Sequence, residues 1–204
     1  MNELYVNIVV EDDVHEALLF RIFQYVNPDI RIANVHGKRG NDYIKKNIFS
    51  FNKAAVITPH IILTDLDDIA CPVELINQWI DFQKDSSFLF RIAVTEGETW
   101  LLSDPTNFSK YIGVSPTNIK HDPESINDPK AFIINLIRKK SKKRKIREDI
   151  IPTGSSRIGP GYNTCLVEFI YNKWDIGIAR KNSNSLERLI VRMKELYERH
   201  TTHS

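Results

Sequence analysis

Three apolar runs, each ending in a cluster of acids, constrain this chain more than any other feature. Leu4–Val10 runs into Glu11, Asp12 and Asp13; Ile61–Thr64 runs into Asp65, Asp67 and Asp68; Phe88–Thr95 runs into Glu96 and Glu98. Short, β-branched-rich runs of this kind read as buried strands. In a parallel sheet the carboxyl ends of neighbouring strands open onto one crevice, so acids from distant segments can converge there. Carboxylates packed together repel unless a cation neutralises them, and hard oxygen ligands suit magnesium or manganese. A divalent-metal site is therefore the first expectation.

Helical signals separate the runs. Leu18, Leu19, Ile22 and Phe23 share one face of a helix expected over about 14–26, and Asn27-Pro28 ends it. A short strand at 30–35 leads to the turn Gly37-Lys38-Arg39-Gly40, and a second helix carries Ile44 and Ile48 inward. Pro72 opens a third helix reaching about Phe82, and Glu98–Ser103 reads as a helical turn. Repeated strand–helix units predict an α/β fold: a compact parallel sheet of about four strands between helices. This core is expected over 1–104, and 105–204 is expected as a mainly helical extension. Residues 105–127, rich in Pro, Asn, Ser and Thr, read as a loop or short turns. Asp128-Pro129 starts a helix, 151–163 is irregular, and two helices close the chain near 163–173 and 184–199, the last striping Leu186, Leu189, Ile190, Met193 and Leu196 inward.

The formal charge of +2 hides an asymmetry. Residues 138–147 hold 8 of the 28 Lys and Arg, leaving 20 cations against 26 acids elsewhere. An acidic body with one dense basic segment, expected to pack on the core, points to a polyanion such as nucleic acid. No aromatic residue interleaves the segment, so phosphate contact is favoured over base stacking. Lys139, Lys140, Lys142, Lys143, Arg144, Lys145 and Arg147 are the candidate contacts, joined by Lys38 and Arg39 in the Gly-flanked loop. Two cysteines without zinc spacing argue against a disulfide framework and predict a cytoplasmic protein. No apolar stretch approaches a membrane span, and Glu3 beside an immediate strand argues against a signal peptide.

Asp65 and Asp67 leave one face if strand geometry persists, so one ion could bridge them or each could hold one of a metal pair; the plainer alternative is a turn with capping aspartates. Glu11 is the second ligand candidate, with Asp12 or Asp13 as the cap of the following helix. Glu96 and Glu98 form the third cluster, although glutamates in a first helical turn are favourable without any further role. The six histidines form no ligand-spaced pair with an acidic motif, and none is assigned a role. Arg91 sits in mid-strand.

A Glu after the first strand followed by Asp-x-Asp after a later one resembles the TOPRIM domain of topoisomerases, primases and overcoming-lysogenisation-type nucleases. Leu63-Thr-Asp65-Leu-Asp67-Asp68 with Cys71-Pro72, the stretch from Arg91 through Glu96, Glu98 and Trp100 to Asp104, and Gly159-Pro-Gly-Tyr162 look like a small bacterial TOPRIM-like family of unknown function. Its members often accompany ATPases in mobile or phage-defence loci. The resemblance implies metal-dependent phosphodiester chemistry on nucleic acid, DNA ahead of RNA. Glu11, Asp65 and Asp67 match the metal triad, and Glu96 and Glu98 the further acidic position of nuclease members. The Gly that commonly follows the first Glu is Asp12 here. The implied protein is a Mg2+- or Mn2+-dependent nuclease, the effector of an ATPase-associated defence system, with no membrane role and room for a homo-oligomer. Two alternatives remain open: a non-catalytic TOPRIM-like binding subunit, and a phosphoacceptor receiver with Asp65 as acceptor. Against the receiver, no strand-ending Lys follows the fourth strand.

Overall fold

Four apolar strands form one fully parallel sheet in this computed structural model, which describes residues 3–202. They are β1 (Leu4–Val10), β2 (Ile30–Gly37), β3 (His60–Asp65) and β4 (Phe88–Ala93), in spatial order β2-β1-β3-β4. Chain order reverses between β1 and β3, which makes their carboxyl ends the topological switch point. Pairing of Val10 with Leu63 brings the ends of these two strands level.

The alternation of side chains sorts the sheet into two faces. Val9, Ile62, Phe88, Phe90 and Ile92 pack with Ile44, Ile48 and Phe51 of α2 (Gly40–Ala55) and with Leu75 of α3 (Pro72–Trp79). The opposite face carries Val6, Ile8 and Val10, all buried, and is covered by α1 (Asp13–Val26). Asp12 caps α1: its side chain accepts from the His15 amide at 3.0 Å, and its own backbone is extended at φ −153°. Asp at this position therefore needs no left-handed turn, and the Gly-to-Asp departure carries no conformational cost. The closing helix, labelled α10 (Asn184–Thr202), buries Leu186, Leu189, Ile190, Met193 and Leu196 as its periodicity predicts. Residues 3–94 and 185–202 make one compact unit, and 95–184 make a second.

The second unit is helical: α4 (Glu98–Leu102), α5 (Pro105–Ile112), α6 (Pro129–Lys140), α7 (Arg144–Ile150), α8 (Tyr162–Asn172) and α9 (Ile176–Asn182). Its core holds Trp100, Phe108, Tyr162, Leu166 and Phe169, with Phe108 and Phe169 edge to face at 5.0 Å. The expected loop over 105–127 is corrected by α5. Asp104 caps it, Pro105 occupies its first turn, and Gly113 ends it at φ +75°. The polar composition of the stretch masks those signals, while Phe108 and Ile112 provide the buried face. Helix α9, capped by Asp175, adds a helix between the two expected to close the chain. Ser141 interrupts the basic segment, so its cations divide between α6, a three-residue break and α7. Among the described residues no helix is long and apolar enough to cross a membrane.

Gly37, at the end of β2, has φ +97°, and an added Cβ would lie 2.1 Å from the Val10 carbonyl oxygen. That carbonyl immediately precedes Glu11 and accepts from the Lys38 amide at 2.8 Å. Gly37→Ala is expected to destabilise the protein by roughly 2–3 kcal/mol, through left-handed strain plus displacement of Val10. Urea unfolding monitored by circular dichroism checks this.

Candidate metal centre and basic surface

The switch point carries two of the predicted acids side by side. Glu11 follows β1, and its Oε1 accepts from the Asp65 backbone amide at 2.9 Å and from the Thr64 hydroxyl. Asp65 closes β3 and is only 5% exposed. Parallel pairing of β1 with β3 forces this approach. The Glu11 carboxyl is raised above the usual carboxylate range, first by burial and then by the Asp65 charge. His15 and the Thr64 hydrogen bond oppose that rise.

His15 is the residue that sequence reasoning missed. Its Nε2 donates to Asp65 Oδ1 at 2.9 Å and its Nδ1 donates to Asp12 Oδ1 at 3.1 Å. Ionised carboxylates only accept, so an imidazole between two of them must carry both protons. Burial opposes the charged ring, but the charges and hydrogen bonds of Asp65 and Asp12 prevail, holding its pKa well above the ordinary histidine value. The cation demanded by crowded acids is thus partly supplied from within. Spacing conceals this, because His15 reaches Asp65 only across the fold, from the first turn of α1.

Asp67 does not continue the strand geometry. Strand β3 ends at Asp65, and Asp67 is exposed at φ +51°, a conformation that Asp tolerates better than most residues. Its Oδ2 accepts from Asn41 Nδ2 at 3.0 Å, near the start of α2. The expectation that Asp65 and Asp67 leave one face through persisting strand geometry is therefore corrected by the left-handed turn. Among the described residues, no three His, Cys, Asp or Glu side chains gather as a ready-made metal cage. Carboxylate oxygens of Glu11 and Asp65 are nonetheless the donor type magnesium takes, since that ion commonly uses one or two carboxylates and keeps several waters.

Glu96 and Glu98 belong to the second unit, where Lys130 joins them. Lys130 Nζ lies 3.5 Å from Glu96 Oε1 and 3.6 Å from Glu98 Oε1, and its backbone amide donates to Glu96 Oε2 at 3.1 Å. Glu98 is buried and also accepts from the Tyr162 hydroxyl at 3.2 Å. Burial, then the Glu98 charge, pushes the Tyr162 phenol well above its usual range. The Gly159-Pro-Gly161 stretch lets the chain enter α8 closely enough to place that hydroxyl: a Cβ at Gly159 would lie 2.3 Å from the Asp149 carbonyl oxygen. Asp104 is completely buried, where it caps α5 and accepts from the Asp175 amide at 2.9 Å.

The predicted cations divide into structural and surface groups. Lys38 pairs with Asp13 at 2.7 Å and with Glu16, two carboxylates that raise its pKa further. Arg39 lies 5.4 Å from the ring centre of Tyr43. Lys143 donates to the carbonyls of Lys110 and Tyr111 at 2.9 and 2.8 Å, closing the end of α5. Arg147 closes the end of α6 through the carbonyls of Ile137 and Arg138 at 3.0 and 2.7 Å. Arg144 pairs with Glu148 at 2.7 Å. Lys139, Lys140, Lys142 and Lys145 are exposed.

No protein-family model and no curated protein matches the chain. Among solved structures it is similar to the C-terminal region of the Burkholderia pseudomallei OLD protein, with 17% identity and a TM-score of 0.39 over 80% of this chain and 95% of that one. A likeness of that size bears no weight in the functional reading.

Removing His15 leaves Asp12 and Asp65 facing one another with no imidazolium between them. His15→Ala is expected to cost about 3 kcal/mol, the scale of breaking a buried ion pair. Because the folded pKa of His15 is raised, its contribution is fully present below about pH 6.5 and is lost as pH rises through the higher folded value. Urea unfolding across pH 6–10 should therefore show the gap between wild type and His15→Ala narrowing on the alkaline side.

Proposed function

We propose that this chain is a divalent-metal-dependent phosphodiesterase acting on nucleic acid, with Glu11 and Asp65 as the central metal ligands. The observation that supports it is the adjacency of half-buried Glu11 and buried Asp65 at the β1/β3 switch point of a parallel sheet. Mg2+ or Mn2+ fits their hard oxygen donors. Asp67, two residues beyond the end of β3, would have to swing from its contact with Asn41 to serve as the third ligand in this reading. When bound, the ion would activate water and stabilise the leaving oxygen during attack on phosphate. Glu11 and Asp65 would hold it, Thr64 would orient Glu11 through their hydrogen bond, and His15 would fix the Asp65 carboxylate. Glu96 and Glu98 are left out of this metal set because Lys130 already pairs with both.

DNA is the proposed substrate, held by the exposed lysines of the basic segment, with RNA as the alternative. Any ATP-driven control would come from a partner ATPase, since the sequence contains no Walker-type phosphate loop. A second reading, a non-catalytic binding subunit, is favoured by one observation: His15 already neutralises part of the acidic pair. A receiver is disfavoured because its usual sheet has five strands in order 2-1-3-4-5, and the described residues form four.

Incubation with plasmid, linear and single-stranded nucleic acids in Mg2+ or Mn2+ separates these readings. Metal-dependent cleavage should be abolished by chelation and by Glu11→Gln or Asp65→Asn in folded protein. Cleavage that persists in both variants would sink the proposed site, and metal-dependent binding without cleavage would favour the binding subunit. Replacing Lys139, Lys140, Lys142 and Lys145 by Gln should weaken binding and lower the slope of log affinity against log salt by up to about 3. Fluorescence anisotropy over a salt series measures it.

A further inference from the structure

Arg91 has an unusual position for an arginine. It lies in β4, the edge strand beside β3, and points to the face opposite Phe88, Phe90 and Ile92. Its Nε is buried and has no hydrogen-bond partner among the described residues. A buried donor left unmade costs free energy, and an acceptor from outside the chain would recover it.

The surroundings specify the acceptor. Arg91 lines a cavity of about 730 Å3 between the strand edge and α10, within the first unit. That volume suits a nucleotide-sized ligand, for which roughly 300–1,000 Å3 is usual. Lys84, Arg192 and Arg199 also line it, so four cations meet there. Three acids face them, and two are already engaged. Glu195 pairs with Arg192 at 2.6 Å, while Asp85 accepts from the Ser87 amide at 2.8 Å. Glu198 completes the acidic lining. Arg199 reaches across the cavity wall to the Ser86 carbonyl at 3.1 Å, fixing α10 against the segment that leads into β4. Burial first, then repulsion from Arg192 with a further contribution from Arg188, pushes Arg91 down to about 10, against the attraction of Glu195. Crowded guanidiniums in a half-buried cavity favour a compact, doubly charged oxyanion over a singly charged carboxylate.

We propose that this cavity binds a phosphate monoester, with the half-buried Arg91 side chain as its anchor and Arg192 at its mouth. Two sources share that chemistry: a free mononucleotide, or the terminal 5′-phosphate of a nucleic-acid strand. Neither depends on the carboxylates at the switch point.

The test uses the full chain with three probes: adenosine 5′-monophosphate, and one single-stranded DNA dodecamer carrying either a 5′-phosphate or a 5′-hydroxyl. Titration calorimetry should show binding of the mononucleotide, or tighter binding of the phosphorylated strand than of its hydroxyl twin. The first result identifies a nucleotide site and the second a strand-end site. Arg91→Met should weaken the phosphate-specific binding about tenfold or more. It should also raise Tm in probe-free buffer, because a buried unmatched donor is removed and repulsion from Arg192 is relieved, so lost binding with a higher Tm cannot come from misfolding. Arg192→Gln, at an exposed position, should weaken the same binding less and decides the matter if Arg91→Met fails to fold. Asp65→Asn should leave it unchanged, which separates failure here from failure of the nuclease reading. The proposal is overturned if the mononucleotide does not bind and the two strands bind equally. It is equally overturned if the folded arginine variants bind all probes as wild type does.

Discussion

An imidazolium held between Asp12 and Asp65 is the interaction on which the candidate centre depends. Two parallel strands meeting at a reversal of chain order bring Glu11 and Asp65 together, and buried like charges cannot stay there uncompensated. His15 supplies compensation from the first turn of α1, whose cap is Asp12. Helix start, strand end and acidic centre are therefore one hydrogen-bonded object. Glu11 is tied in through the Thr64 hydroxyl and the Asp65 amide, so any displacement of β1 against β3 disturbs both carboxylates.

This arrangement bears directly on the argument from charge. Crowded acids imply a cation, and the sequence leaves its identity open. The structure provides one cation internally, while the hard oxygens of Glu11 and Asp65 still suit an external one. An oriented ligand and a self-compensated structural pair share this geometry in the absence of substrate. They differ in what the Asp65 carboxylate does when metal and phosphodiester are offered together.

The basic segment divides by similar logic. Eight cations in ten residues exceed what a helix terminus needs, and the structure shows how many are architectural. Lys143 and Arg147 donate to carbonyls in the last turns of α5 and α6, where a helix leaves its final carbonyls without intrahelical partners. Lys139, Lys140, Lys142 and Lys145 remain a surface feature. Arg91 has the opposite character: one cation in an apolar strand, carrying a buried donor that the described chain leaves unmatched.

The sequence by itself determined the α/β class, the four strands, their helical connections and the inward stripe of the last helix. These follow from periodicity and from Asn-Pro and Asp-Pro punctuation, which act over a few residues. Polar composition hid α5 and α9, although Asp104 and Asp175 are both caps. The acids ending the strands were legible as candidates, and the meeting of Glu11 with Asp65 follows from the strand order. Only the tertiary structure decided that His15 is the partner of Asp65, that Asp67 turns aside after the strand, and that Lys130 and Tyr162 hold Glu96 and Glu98. The reason is physical: such pairings join residues 34 to 64 positions apart, and no local pattern encodes a charge that is neutralised from across the fold.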